Sequence, residues 1–275
     1  MVKIGDVWDS TTAALAGRAG LLVPVAAGAF TLPLVIRAAI QAYGGGSTGA
    51  VVLTGFIALL ALPLQLWGVM TVIAVASDPV TTRGEAGRLA LARLPAALLV
   101  TLIIIAAALL AVIPVGVALA ASGFDFQAAS AQAGSAAGPA IAPGAALFLL
   151  FYALAIVVAG LWIGARLFLV NAVIVNEQRA IGAFGRSFAL TRGLVFKLIG
   201  VQLILSLVLL IASFAASRVV FLVVRLLLGP AQIGTAAWIG GIADAVITSS
   251  FMVVIGVFGA RLYVAVTGLA ARTGP

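Results

Sequence analysis

The chain contains no cysteine and no histidine. Without cysteine there is no disulfide, no thiolate metal ligand and no cysteine nucleophile. Without histidine, the commonest general base and the commonest transition-metal ligand are both missing. Ser-His-Asp hydrolysis, histidine zinc sites and haem held by histidine are thereby excluded. Acid is scarce too: seven Asp and Glu are scattered through 275 residues, with no dense carboxylate cluster. No phosphate-cradling GxxxxGK[ST] loop occurs. The chain is expected to be no enzyme and to hold no metal or cofactor.

Charge of either sign is also sparse, at 8% of residues, where an ordinary soluble domain carries about 25%. Hydrophobic residues make up 64% and the mean hydropathy is +1.32. No soluble fold of this length covers so much apolar surface with so few polar groups, so the solvent for most of the chain is lipid. The expected fold is all-α: a polytopic integral membrane protein forming a single membrane domain, 1–275.

A hydrocarbon core about 30 Å thick needs roughly 20 apolar helical residues. Six stretches qualify, at 21–40, 49–76, 94–121, 145–175, 194–216 and 236–266. They are continuous apolar runs and not the alternating ten-residue segments of a barrel. Gly44, Gly45 and Gly46 end the first, Ser77, Asp78 and Pro79 end the second, and a polar small-residue loop follows the third at 122–143. Asp6, Trp8 and Asp9 interrupt the first twenty residues, so no cleavable signal peptide is expected there.

Shorter amphipathic stretches flank the spans. In 3–17, Ile4, Val7, Trp8, Thr11 and Leu15 share a helical face, opposite Asp6, Asp9 and Ala13. In 178–190, Ile181, Phe184 and Phe188 share a face, opposite Arg179 and Arg186. Both are expected to lie in the membrane surface. The apolar run 219–228 is too short to span. It reads as a third interfacial or re-entrant helix, with Arg218 and Arg225 on one face; the alternative is a long fifth helix projecting from the bilayer.

Lysine and arginine placement sets orientation. Twelve of the fifteen fall on one side: Lys3, Arg18, Arg83, Arg88, Arg93, Arg166, Arg179, Arg186, Arg192, Lys197, Arg261 and Arg272. Arg37, Arg218 and Arg225 fall on the other. Both termini are therefore expected in the cytoplasm, which requires an even number of spans. The net charge of +8 then reflects loops facing anionic lipid, and no nucleic-acid partner is expected.

Two span ends nearly match: Gly164-Ala165-Arg166-Leu167-Phe168 and Gly259-Ala260-Arg261-Leu262-Tyr263. Basic residues Arg18, Arg93 and Arg192 precede spans one, three and five. Three units are expected, each a short amphipathic segment followed by a helical hairpin, although Ala/Leu/Val-rich sequence also yields chance matches.

Arg166, Arg179, Arg186, Arg192, Lys197 and Arg261 form a candidate phospholipid head-group site, since guanidinium binds phosphate oxygens through two parallel hydrogen bonds. The plainer reading makes them topology signals. Asp244 is the one acid inside a span, and charge there is costly and usually paired. Counting from Ala236, it lies about 12 Å into the sixth helix. Its candidate ion-pair partners are Arg218, Arg225 and Arg37; proton or ion coupling is the sharper alternative. Gly160, Gly164, Gly256 and Gly259 are small residues suited to close helix contact.

Arg166 at a span end, then Glu177, Ala183, Ser187, Leu190, Thr191, Arg192 and Gly193, form an Ala-x-x-x-Ser-x-x-Leu-Thr-basic-Gly run leading into a span. This resembles the membrane domain found with some bacterial glycerophosphodiester phosphodiesterases, and a broader set of uncharacterised six-helix proteins. The chain departs from them at Asn171-Ala172, where such proteins commonly carry proline, and it lacks their catalytic domain. The resemblance implies a membrane module without hydrolysis, in a bacterial inner membrane. Glu177, Ser187, Thr191 and Gly193 are its motif residues. Ser187 also reads as an exposed surface serine, and Gly193 as the break before span five. The favoured function is a non-enzymatic module that interacts with membrane phospholipid or anchors a partner membrane protein, or a second copy of itself. A small-solute or lipid transporter and a structural subunit of a larger membrane complex are the alternatives.

Overall fold

The computed structural model describes residues 2–78, 80–125 and 141–272. Pro79, most of the expected loop 122–143 and the side chain of Arg272 lie outside the described residues. Among those described, all regular structure is helical. In chain order the helices are α1 (Ile4–Ala26), a π turn (Ala27–Thr31), α2 (Leu32–Tyr43), α3 (Thr48–Ser77) and α4 (Arg83–Ala121). Next come α5 (Pro143–Leu167), α6 (Val170–Glu177), α7 (Gly182–Leu190) and α8 (Val195–Leu228). A 3₁₀ turn (Pro230–Gln232) leads into α9 (Ile233–Arg272).

Six helical stretches are long and apolar enough to cross a membrane: Ile4–Tyr43, Thr48–Ser77, Arg83–Ala121, Pro143–Glu177, Val195–Leu228 and Pro230–Gly268. Their outward faces carry the apolar surface that lipid requires. Val51, Val52, Leu59, Leu150, Phe151, Leu210 and Phe214 are each more than half exposed. A soluble protein does not leave apolar surface of this extent in water. The chain is a multi-pass membrane protein.

The ends of these helices follow from local chemistry. The Ser47 side chain accepts from the Ala50 amide at 3.3 Å and starts α3. Thr82 and Glu85 cap α4 reciprocally: the Glu85 carboxylate accepts from the Thr82 amide at 3.0 Å, and the Thr82 hydroxyl accepts from the Glu85 amide at 3.4 Å. In the first spanning stretch the ring of Pro33 would clash with the carbonyl of Ala29 in a regular helix. The backbone widens there into the π turn, where the Leu32 amide reaches back to Ala27. Ala29 and Phe30, within that turn, are fully buried.

Segment 3–17 is not a detached helix. It runs into the first span through a break at Arg18, whose backbone (φ −126°, ψ 15°) is non-helical. Its buried residues are Val7, Thr11 and Ala14, while Trp8 is 40% exposed. Segment 219–228 corrects the expectation of a separate interfacial or re-entrant helix. It is the continuous end of α8, whose 34 residues make a rod about 51 Å long. Nothing between Ser217 and Leu228 breaks the hydrogen-bond ladder; Gly229, with φ +80°, ends it.

The described chain forms two compact units: residues 1–99 with 165–275, and residues 100–164. In the smaller unit the Tyr152 hydroxyl donates to the Ala111 carbonyl at 2.7 Å and the Phe148 and Tyr152 rings stack. In the larger unit α9 is the central helix, packed against α1, α2, α3 and α8. Its lower half is buried through Val253, Val257, Phe258, Ala260 and Leu262. Small residues let the neighbours approach. A Cβ on Gly68 would sit 2.5 Å from Ala29 Cβ and 2.9 Å from the Phe30 ring, so the π turn rests on bare α3 backbone.

Candidate functional site

Within the larger unit the basic end is built around the motif Ser187–Gly193. Arg166 closes α5, where the last carbonyls of a helix have no partner in the helix itself. The Ser187 hydroxyl donates to the Arg166 carbonyl at 2.7 Å, and the Arg166 guanidinium donates to the Phe188 carbonyl at 2.9 Å. The same guanidinium lies 5.6 Å from the centroid of the Phe188 ring. Thr191 donates to the Ser187 carbonyl at 2.8 Å. Gly193 then takes φ +80° and turns the chain into α8. The run therefore ties the end of α5 to the end of α7.

Ser187 is thus not an exposed surface serine: it is fully buried, together with Ala183 and Thr191. The packed face of α7 is Ala183, Ser187 and Leu190, while Ile181, just before the helix, is 61% exposed.

Glu177 anchors a second knot. It pairs with Arg186 at 2.8 Å and with Arg179 at 3.1 Å, and accepts from the Tyr263 hydroxyl at 3.1 Å. Beside it the Asn176 amide donates to the Ser77 hydroxyl at 3.3 Å. Gln178, with φ +60°, takes the left-handed conformation that ends α6. The two matching span ends meet here: Ala165 and Ala260 are fully buried, and a Cβ on Gly259 would lie 3.7 Å from the Phe168 ring, which also packs edge-on against Phe258.

Of the six basic residues expected to bind a head group, Arg166, Arg179 and Arg186 are therefore held by protein atoms. Arg192 and Lys197 are exposed. Arg261 is different. Its Nε is buried without a partner among the described residues, and it lines two adjoining hollows between α1 and α9. One, of about 400 Å³, is walled by Ser10, Ala13, Ala14, Gly17, Arg18 and Arg261. The other, of about 450 Å³, is walled by Lys3, Asp6, Ser10, Arg261 and Val264 among others. Ser10 and Arg261 belong to both.

Arg18 is fixed by donating to the carbonyls of Val75 and Asp78, the latter at 2.9 Å. The Val80 amide and the Thr81 hydroxyl, with Arg18 nearby, hold the Asp78 carboxyl below its ordinary pKa. Sequence reasoning passed over Ser10 and Arg18 as site residues. Their spacing with Ala14, at 10, 14 and 18, was the available signal for a single helical stripe.

At the opposite end of α9, Asp244 lies three turns inside the helix. Its carboxylate accepts from the Ser213 hydroxyl of α8. It forms no ion pair with Arg218 or Arg225, so the expected pairing gives way to a serine. Arg218 instead covers the Phe214 ring at 5.4 Å, and Arg37 and Arg225 are exposed. Asp244 and Arg218 nonetheless share a cleft of about 470 Å³ with Ser213, Phe214, Ser217 and Gly240. Of the glycines singled out for close packing, Gly256 would bring a Cβ to 2.9 Å from Val72, whereas a Cβ on Gly160 would meet nothing within 4 Å.

Fold and sites together define a multi-pass helical membrane protein with a basic hollow at one end of its central helix and a carboxylate cleft towards the other. No protein-family model, curated protein or solved structure matches the chain.

Proposed function

We propose that the chain is a non-enzymatic module of a bacterial inner membrane that holds the phosphate-bearing head group of a membrane lipid at its basic end. The observation that carries this reading is the buried, unpartnered Arg261 Nε beside two hollows that also expose Ser10 and Arg18. A guanidinium with unused donors matches phosphate oxygens; the adjacent Ser10 hydroxyl, which donates to the Val7 carbonyl at 2.8 Å, adds a polar wall. Half-buried at a span end, the guanidinium binds far more strongly there than exposed arginines in water.

In this reading both termini are cytoplasmic, by the excess of lysine and arginine at the basic end. The six spans form three hairpins. Segment 4–17 and α7 lie near the membrane surface; the break at Arg18 and the turns at Gln178 and Gly193 support their separation from the spans. The resemblance to the phosphodiesterase membrane domain supports a module of the same kind, with the motif serving to lock helices together and not to bind ligand.

Native mass spectrometry of gently extracted protein tests this. Wild type is expected to retain phospholipid, and Arg261→Gln to lose about ten-fold of that occupancy, while Arg179→Gln retains it. Equal occupancy in all three would overturn the reading. A stoichiometric second protein in place of lipid would make the chain a complex subunit.

A further inference from the structure

The cleft between α8 and α9 sits apart from the basic hollows. Asp244 and Arg261 are seventeen positions apart, about 25 Å along the helix, and none of the sixteen residues between them is charged. That interval approaches the thickness of a hydrocarbon core. The cleft is walled on α8 by Leu210, Ser213, Phe214, Ser217, Arg218 and Phe221, one helical stripe. On α9 it is walled by Ala237, Gly240, Gly241 and Asp244.

The two glycines create both the packing and the space. A Cβ on Gly240 would lie 2.8 Å from the Ser217 carbonyl oxygen, and one on Gly241 would lie 2.6 Å from Ala38 Cβ of α2. Helices α2, α8 and α9 are thereby clamped together. The walls of the cleft are held by backbone contact and do not depend on a ligand.

Two opposite charges line this cleft without meeting. The Asp244 carboxylate takes one hydrogen bond from Ser213 and retains further acceptor capacity. The Arg218 guanidinium rests a face on Phe214 and has no hydrogen bond to another described residue, which leaves its N–H edge open. Asp244, half-buried between the helices, is costly to leave without a cationic partner, while Arg218 is exposed at the edge of the cleft and free to meet a ligand's anion. A simple cation in the cleft would meet the guanidinium, and a simple anion would meet the carboxylate. A molecule carrying both charges meets each with its complement.

Ser213 and Arg218 are five residues apart, about 7 Å along α8. The carboxylate is therefore the inner charge and the guanidinium the outer one. We propose that this cleft binds a zwitterion joining a primary ammonium to a phosphate, the phosphoethanolamine group. The ammonium donates to Asp244, and the phosphate accepts from Arg218; the Ser217 hydroxyl, which donates to the Phe214 carbonyl at 3.2 Å, only lines the cleft beside it. The group comes either as a soluble ester, which enters ammonium first, or as the head of a membrane phospholipid, which must fold its head group back to place the ammonium inside the phosphate. A quaternary ammonium has no N–H to give Asp244, so the cleft discriminates ethanolamine from choline. The inference is independent of lipid binding at Arg261.

The test uses the full chain purified in detergent and titrated in native mass spectrometry with four probes. These are dioleoyl phosphatidylethanolamine, dioleoyl phosphatidylcholine, glycerophosphoethanolamine and glycerophosphocholine. At least one ethanolamine probe is expected to bind ten-fold or more tightly than its choline counterpart. Preference in the lipid pair alone assigns a lipid head group; preference in the soluble pair assigns a free ester. Asp244→Asn and Arg218→Gln are each expected to abolish the preference, and Ser213→Ala to weaken it. Phosphatidylglycerol retained at Arg261 should be unchanged in these variants, which separates this site from the basic hollow. Thermal midpoints within a few degrees of wild type show that the variants fold, and should Asp244→Asn fail that control, the other two variants decide. No ethanolamine preference in wild type, or a preference that survives in folded variants, overturns the proposal.

Discussion

At the scale of single residues, the basic end shows how hydrogen-bond supply divides the arginines into two groups. Arg166 gives its guanidinium to the Phe188 carbonyl while its own carbonyl receives Ser187. An orphan helix-end acceptor is thereby satisfied inside the protein. Ser187→Ala leaves that carbonyl only the long 3.5 Å contact from the Thr191 hydroxyl, and such a loss costs about 1–3 kcal/mol. The expected outcome is a lower thermal midpoint in detergent, with no change in phospholipid bound at Arg261. A midpoint equal to wild type would show that the Ser187–Arg166 bond contributes little. The Ala-x-x-x-Ser spacing was legible in the sequence, whereas the burial of Ser187 was not. A short helix with aromatics on one side and small residues on the other offers two faces, and only the neighbour to be packed selects between them.

At the scale of elements, close contact replaces the hydrophobic effect as the reason for helix association, since lipid is as apolar as the side chains it would release. The π turn shows the result. Pro33 widens the backbone, Phe30 is turned inward, and Gly68 receives it. Gly68→Ala inserts a methyl group where Ala29 and Phe30 already sit, an overpacking worth about 1–3 kcal/mol. Gly55→Ala, at a position where a Cβ meets nothing within 4 Å, is expected to be neutral. Comparing the two thermal midpoints checks this, and equal shifts would refute the close contact. Pro33 is visible in the sequence, but which turn would widen to accommodate it is not. The unbroken course of α8 through 219–228 was likewise undetermined by composition, because an apolar run too short to span fits a projecting helix end as well as a separate one.

At the scale of the whole molecule, charge asymmetry gives the orientation that lipid-facing surfaces leave open. The absence of cysteine makes this measurable without background. Ala231→Cys, in the exposed turn between α8 and α9, is expected to react with a membrane-impermeant maleimide in intact cells. Arg83→Cys, exposed at the start of α4, is expected to react only after permeabilisation. The reverse pattern would place both termini outside and move the basic hollows to the other leaflet.

The sequence by itself determined the class of fold: six long apolar runs admit one solvent, and a backbone in that solvent must satisfy its own hydrogen bonds as helix. It also located the residues that carry unusual chemistry, Arg261, Asp244 and the Ser187–Gly193 run, because charge and glycine stand out in such a background. Only the tertiary structure decided what each one meets. Arg18 joined Arg261 across α1 and α9, Ser213 took the place of an arginine at Asp244, and Glu177 gathered Arg179, Arg186 and Tyr263. The meeting of Arg18 with Arg261 and of Glu177 with Tyr263 joins helices far apart in the chain. The contacts that set them are made by alanines and glycines, whose places in the sequence look alike until another helix lies against them.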